Sequence, residues 1–533
     1  MKTIYKILPA AALLSFLGAC NDLDTEPLGG TVTSQQKEDV IKNDPSMAEA
    51  SVNALPMMAK QYCGVYANTS IQSDFGYPSS MLIMDSHTAD MSATTSGYNW
   101  FASAQDYSDK GANSRDTRLL WSTMYNMIYS CNSVLKGIDK ETTNETLKYY
   151  LAQALGFRAW CYFNLAQLYQ FTYVGNEDKP CVPLITDEND EQAATEGAPR
   201  ATVQEVYNLI LSDLDTALGN LKETGYIAPS DRLGKQFMTA VTVSGIRARV
   251  NLVMNKWSDA ATDARYVIEN SGATPYSIAE VSKPSFWDAS DHSWIFAIDI
   301  ESGEVGNLHC WPGHFVTFYT GGYAQVGVFR KINKALYESM SPSDVRKGWW
   351  CDASGASPNL DTAHANVLYS YFDSKEEAAY VNVKFDTYQS MFEGICYLND
   401  LPLMRIEEMY LTLAEAQAMG GSTGEGVSTL NSFMQAYRDP SYNCTLASAT
   451  EIQDEIWKQR RLEFWGEGIA YFDIQRLKKP MNRVGGGFEP SVVFNIPADS
   501  PLRIYLIPLD EMQNNPGITS NNEEGAAPTP VAE

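Results

Sequence analysis

A helix-like run beginning near Glu451 carries its apolar face into charge. Ile452 and Ile456 stand one turn apart, and stepping on by three or four residues reaches Arg460, Glu463 and Glu467. Charges at core positions are costly unless each finds a partner. Arg460, Arg461, Glu463, Glu467, Asp473 and Arg476 are close enough in sequence to supply those partners among themselves. Gly466 and Gly468 then break the helix and let the backbone turn sharply. The stretch Arg460 to Leu477 therefore predicts a buried ion-pair network that fixes a C-terminal turn.

Helical periodicity runs through much of the remaining chain. Glu49 to Tyr66 reads as a first helix, with Val52, Leu55, Met58 and Tyr62 near one face. In Leu120 to Ile138, Trp121, Met124, Tyr125, Ile128, Leu135 and Ile138 recur at three and four, and Gly137 is a stop signal. Leu147 to Tyr169 follows. Gly175 to Arg200 is a loop rich in Pro, Glu and Asp. Thr202 then opens a helix, with Glu205 placed to complete a capping box. Further helices span about Gln236 to Met254, Trp257 to Gly272, Leu403 to Met419, Gly424 to Tyr437 and Glu451 to Trp465. Such pairs suggest helical hairpins of the tetratricopeptide kind, although the repeats are too degenerate for self-similarity to establish it.

The run R-R-L-E-F-W-G-E-G-I-A-Y-F-D-I-Q-R-L resembles the C-terminal signature of the SusD/RagB family, surface lipoproteins that capture nutrients beside a TonB-dependent transporter. It departs from that pattern in having Ile474 where leucine is usual and no tryptophan after Leu477. Leu401 to Ala416, Leu120 to Leu135 and Ala154 to Leu165 are similar to the family as well, so the resemblance spans nearly the whole mature chain. It implies a mostly α, SusD-like fold of tetratricopeptide-type hairpins with a large irregular region of loops and short strands.

The beginning of the chain reads as an export signal over 1–19. Lys2 and Lys6 precede the apolar stretch Ile7 to Leu17, which is too short to span a membrane. Leu17-Gly18-Ala19-Cys20 looks like a lipobox, making Cys20 the lipid anchor of a tether over 20–45. The nutrient-binding domain is expected over 46–533, with helical-repeat parts at about 46–272 and 402–476 and an irregular insert at about 273–401. A net charge of −26 argues against nucleic acid and polyanionic ligands. Of nine cysteines, Cys131 and Cys161 sit in helix patterns as small core side chains, and a chain this long does not require disulfides.

Between Tyr276 and Leu401 the helix period lapses. Trp294 to Ile300 reads as a buried strand, and aromatics, glycines and prolines cluster from His309 to Val328. The candidate ligand-binding residues are Tyr77, Tyr98, Asn99 and Trp100 from one aromatic loop region, and Trp287, Trp311, Tyr319 and Tyr323 from the other. Sugar C–H faces lie flat on such rings while amides take the hydroxyls. Each ring alone could instead be packing beneath a long loop. The resemblance implies that rings from these two regions form the ligand surface, and Trp100 and Trp311 are expected to matter most.

His309 and His314 flank Cys310 in a Pro-Gly turn, but their spacing matches no common zinc site, and neither metal nor cofactor is expected. Glu463 and Glu467 share a helical face at about 5–6 Å, within reach of glycosidase geometry. Arg460 and Arg461 beside them should keep both ionised, whereas a general acid needs a raised pKa. No G-x-S-x-G, H-E-x-x-H or P-loop pattern occurs. The chain is thus expected to be no enzyme. By resemblance it is expected to be an outer-membrane, cell-surface lipoprotein that passes an oligosaccharide to a SusC-like TonB-dependent transporter docked on the helical side, and the chain's own acidity points to a neutral ligand. The alternatives are RagB-like peptide capture, a secreted glycoside hydrolase and a purely structural helical adaptor.

Overall fold

Amphipathic periodicity with capping at the ends builds a scaffold of ten helices of ten or more residues among the described residues. A computed structural model describes residues 40–41, 43–62, 71–224 and 232–532. The expected export signal, Cys20 and positions 20–39 and 42 of the expected tether lie outside the described residues.

In chain order the long helices are α1 (Ser46–Met58), α2 (Tyr77–Ser86), α3 (Arg115–Lys136), α4 (Glu145–Tyr169), α5 (Val203–Thr224), α6 (Ala240–Val253) and α7 (Trp257–Asn270). After the irregular block come α8 (Ile406–Met419), α9 (Thr423–Tyr437) and α10 (Ala449–Glu463). Ser114 caps α3 by accepting from the backbone N–H of Asp116 at 3.0 Å, and Gly137 ends it. The predicted box before α5 is present: Glu205 N–H donates to Thr202 Oγ1 at 3.2 Å, and Thr202 N–H donates to Glu205 Oε2 at 2.8 Å. The first helix is shorter than its apolar spacing suggests, since residues 59–62 have already left it.

Neighbouring helices pack in succession: α3 on α4, α4 on α5, α5 on α6 and α6 on α7. Next, α7 packs on α8, which also carries α9 and α10. The helical stack is therefore continuous through a junction whose members are separated in sequence by residues 271–405. That excursion is closed at its root by an antiparallel ribbon. Strand Trp294–Ile298 pairs with Leu401–Arg405, setting Trp294 opposite Arg405 and Ile298 opposite Leu401. Both strands are buried throughout. Trp294 is a core residue, as its alternating neighbours predict. Leu403, read as the start of a helix, belongs instead to this ribbon. The excursion itself holds short helices such as Lys334–Glu338 and Thr362–Tyr369. Among the described residues, no helix is long and apolar enough to cross a membrane.

The charge at the end of α10 is buried, but most of its partners come from elsewhere. Glu463 receives Arg438 Nε on Oε2 and Nη2 on Oε1, both at 2.7 Å. It also meets Arg405 at 3.2 Å and Arg346 at 3.4 Å. Glu467 takes Arg405 through two bonds of 2.9 Å and Lys384 at 2.7 Å. Glu407 joins Arg405 at 2.9 Å and Arg438 at 3.2 Å, and Asp344 holds Arg346 at 2.6 Å. Four cations (Arg346, Lys384, Arg405, Arg438) thus balance four carboxylates (Asp344, Glu407, Glu463, Glu467). Within the signature itself only Arg460 and Arg476 pair as expected, both on Asp473. Arg461 reaches Asp90 instead, at 2.9 Å. The sequence-based pairing was local because spacing along one segment cannot reveal partners from another.

Gly466 and Gly468 make the turn that presents these carboxylates. Gly466 has φ +85°, and a Cβ there would lie 2.6 Å from Phe315 and 2.8 Å from Phe385. Burial alone would push the Glu463 carboxyl up. The guanidiniums of Arg438, Arg405 and Arg346 outweigh it and hold the group well below the usual carboxylate range. Its stabilising contribution is therefore present above its unfolded pKa of about 4.3 and is lost as pH falls below that value. Glu463→Gln is expected to cost about 3 kcal/mol or more near neutral pH in denaturant titrations. The gap to wild type should narrow by about 1.4 kcal/mol per pH unit below about pH 4.

Candidate ligand-binding surface

The two aromatic loop regions meet, and His314 is their common centre. Asn99 forms the first loop's turn, accepting from the Phe101 backbone N–H at 3.1 Å and donating to the Thr94 carbonyl. The second loop enters through the short helix Trp311–Phe315. The His314 imidazole is stacked on Phe75 at 5.3 Å and on Tyr323 at 4.4 Å, with the Phe101 ring edge-on at 5.1 Å. Its Nε2 lies 2.8 Å from the Gln72 carbonyl. Burial, reinforced by nearby Arg330, pushes its pKa down to about 3, so the ring is neutral and donates from Nε2. Arg330 ties the loops together, donating Nη2 to Asn99 Oδ1 at 3.1 Å and Nε to the His314 carbonyl at 3.2 Å.

On this base the Tyr98 ring is 60% exposed, with its centroid 6.5 Å from Tyr323. Trp100 is half-buried, and Val326, 53% exposed, lies on the same second loop as Tyr323. Tyr323 is itself buried, and its hydroxyl is pushed up to about 12 by that burial. A further group of rings adjoins. Thr320 N–H donates to the Phe392 carbonyl at 3.1 Å, Tyr319 stands 6.3 Å from Tyr397, and half-buried Trp287 meets Tyr388 edge-on at 5.5 Å. Met391 and Ile395 project from that loop, the latter 45% exposed. Its turn holds Gln389 and Ser390 at positive φ.

Several sequence-predicted site residues have other places. Trp311 is 2% exposed, stacked on Phe315 at 4.3 Å and against Phe385 at 4.9 Å, so its indole is core packing and not a ligand platform. Tyr319 is buried over the Gly321–Gly322 backbone and donates its hydroxyl to the Asn307 carbonyl at 3.0 Å. Asn99 is buried with both ends of its amide engaged, which leaves it as a turn-forming residue. Tyr77 lies apart from these loops, donating to Asn164 Oδ1 at 3.0 Å with its ring 4.6 Å from Trp160. It lines a narrow cavity between α4, α6 and the helix Ala470–Arg476. Tyr388, Phe392 and Tyr397 are not among the sequence-predicted site residues, although Gly394 and three rings within ten residues signal a structured loop. Among the described residues no group of three or more His, Cys, Asp or Glu is arranged to hold a metal.

The fold and this surface define a helical scaffold that displays aromatic rings on cross-linked loops. Residues 40–242 match the family model SusD-like, described as starch-binding and associating with the outer membrane, and residues 363–523 match the SusD/RagB model, described as the SusD family. The chain belongs to the SusD/RagB family. SusD-like protein P38 of Formosa agariphila is 22% identical over 403 residues, covering 69% of this chain and 73% of that protein. A crystallised SusD-like carbohydrate binding protein from Bacteroides vulgatus superimposes with a TM-score of 0.72 at 23% identity, covering 89% of this chain and 97% of the other. A SusD superfamily protein from Bacteroides thetaiotaomicron gives 0.69 at 21%, covering 90% and 99%. At these identities the structural likeness establishes the fold.

The burial of Trp311 and the exposure of Tyr98 make opposite predictions for stability. Trp311→Ala is expected to cost about 3–5 kcal/mol, and Tyr98→Ala less than about 0.5 kcal/mol. Parallel urea titrations of the two variants check this.

Proposed function

We propose that the protein binds a saccharide on the surface centred on Tyr98 and releases it unaltered. The observation that carries this reading is an open tyrosine ring, held over Tyr323 by a base of stacked rings and a buried arginine. A rigid exposed ring offers contact area at low entropic cost, and its hydroxyl can serve sugar oxygens. Trp100 beside it and the Trp287–Tyr388 pair extend the same chemistry. Glu463 and Glu467 are buried and bound to cations, which supports binding without hydrolysis. The family's description as starch-binding and outer-membrane-associated favours the same reading.

The export signal and Cys20 support a lipid-anchored protein at the cell surface. There it would gather oligosaccharide for a SusC-like TonB-dependent transporter, with the helical stack as the docking side. The expected result is that titration calorimetry with neutral oligosaccharides detects binding to the purified protein, and that Tyr98→Ala weakens it at least tenfold, equivalent to about 1.4 kcal/mol. Unchanged affinity in that variant overturns the assignment of the surface, and release of reducing ends overturns the non-catalytic reading.

A further inference from the structure

A cleft of 590 Å³ opens where the loop after α4 meets Arg200, the turn beyond helix Ala470–Arg476 and the C-terminal segment 498–523. None of the residues assigned to the ring surface lines it. Its volume falls within the range of small-molecule sites.

Lys179, Arg200 and Lys478 converge on this cleft, and among the described residues none has a carboxylate at ion-pair distance. Neighbouring Arg476 and Lys479, in contrast, are both paired. Arg200 directs its guanidinium to neutral acceptors: the Cys181 carbonyl at 2.8 Å, Pro180 carbonyl and Asn522 Oδ1 at 2.6 Å, and Ser520 carbonyl at 3.3 Å. Asp499 and Glu523 also line the cleft, both exposed and neither joined to these cations. Glu177 also feels the charge of Lys478, but within the lining three cations outnumber two carboxylates, and in a concave site of a chain with net charge −26 that local excess favours small anions. Thr172 supplies an independent sign. It lines the same cleft, is 6% exposed, and its hydroxyl has no hydrogen-bond partner. Half-buried Phe171 adds an apolar wall.

We propose that this cleft is a second saccharide site and that it takes a sugar acid. The carboxylate lies between Lys179 and Lys478, a ring hydroxyl satisfies Thr172, and the C–H face rests on Phe171. The site is separate from the Tyr98 surface and does not depend on it.

The test compares a glucuronate-terminated disaccharide with its neutral glucose counterpart by titration calorimetry on the purified protein. The double variant Lys179→Gln with Lys478→Asn removes both charges at exposed positions, and asparagine tolerates the φ of +50° at residue 478. The expected result is that the acid binds at least tenfold more tightly than the neutral sugar at low salt. The preference should disappear in the double variant and in high salt, and should survive Tyr98→Ala. Equal affinity for the two sugars, no binding of the acid at millimolar concentration, or a preference retained in the double variant overturns the proposal. A preference abolished by Tyr98→Ala also overturns it, by placing the acid on the ring surface.

Discussion

The interior of this protein is organised by charge as much as by apolar contact. Four cations and four carboxylates are removed from water together around Glu463 and Glu467, and each group's burial is tolerable only while its partners are in place. The partners come from the excursion (Asp344, Arg346, Lys384), from the ribbon and the start of α8 (Arg405, Glu407), and from the end of α9 (Arg438). The network therefore works as a check on assembly. A misplaced segment leaves a bare buried charge, which apolar packing alone would not detect. Lys384 shows how tightly the site is enclosed. It lies 4.6–4.9 Å over the rings of Phe286, Trp349 and Phe385, and burial pushes its pKa down to about 8.

The ring surface depends on the same wall from the other side. Phe315 and Phe385 close over Gly466, and one residue away from Phe315 the His314 imidazole holds Tyr323 beneath Tyr98. Because that imidazole stays neutral through the physiological pH range, the base beneath the exposed ring is stacked in one arrangement. Arg330 locks the two loops to each other through an amide and a backbone carbonyl. Such pre-organisation lowers the entropic cost of ligand contact.

Local chemistry in the sequence identified most of the scaffold. Thr202 with Glu205, Gly137 and the stripes at three and four residues describe events within a few turns of backbone, and the helices formed nearly where they predict. The α7–α8 junction was not legible, because its two members are brought together only when residues 271–405 fold back through the ribbon. The same distance effect governed the candidate site. Trp311 and Tyr98 both sit in Gly-rich loop sequence, yet one ring is covered by Phe385 and the other is left open. Exposure of a ring is set by what folds over it, and no spacing near Trp311 announces Phe385. Partner choice in the charge network was hidden for the same reason: Arg461 finds Asp90, far away along the chain.

The ribbon gives the architecture a hinge point for evolutionary change. Because the long excursion leaves and re-enters the stack through two adjacent strands, its loops can be lengthened, shortened or exchanged while the helices on either side keep their neighbours. One condition applies to any replacement. Asp344, Arg346 and Lys384 all belong to the excursion, so a new insert must bring a net positive charge back to the acidic turn at its base, or leave three carboxylates facing two arginines in the interior. Diversity in what such a scaffold recognises is thus free at the tips of the loops and constrained at their roots.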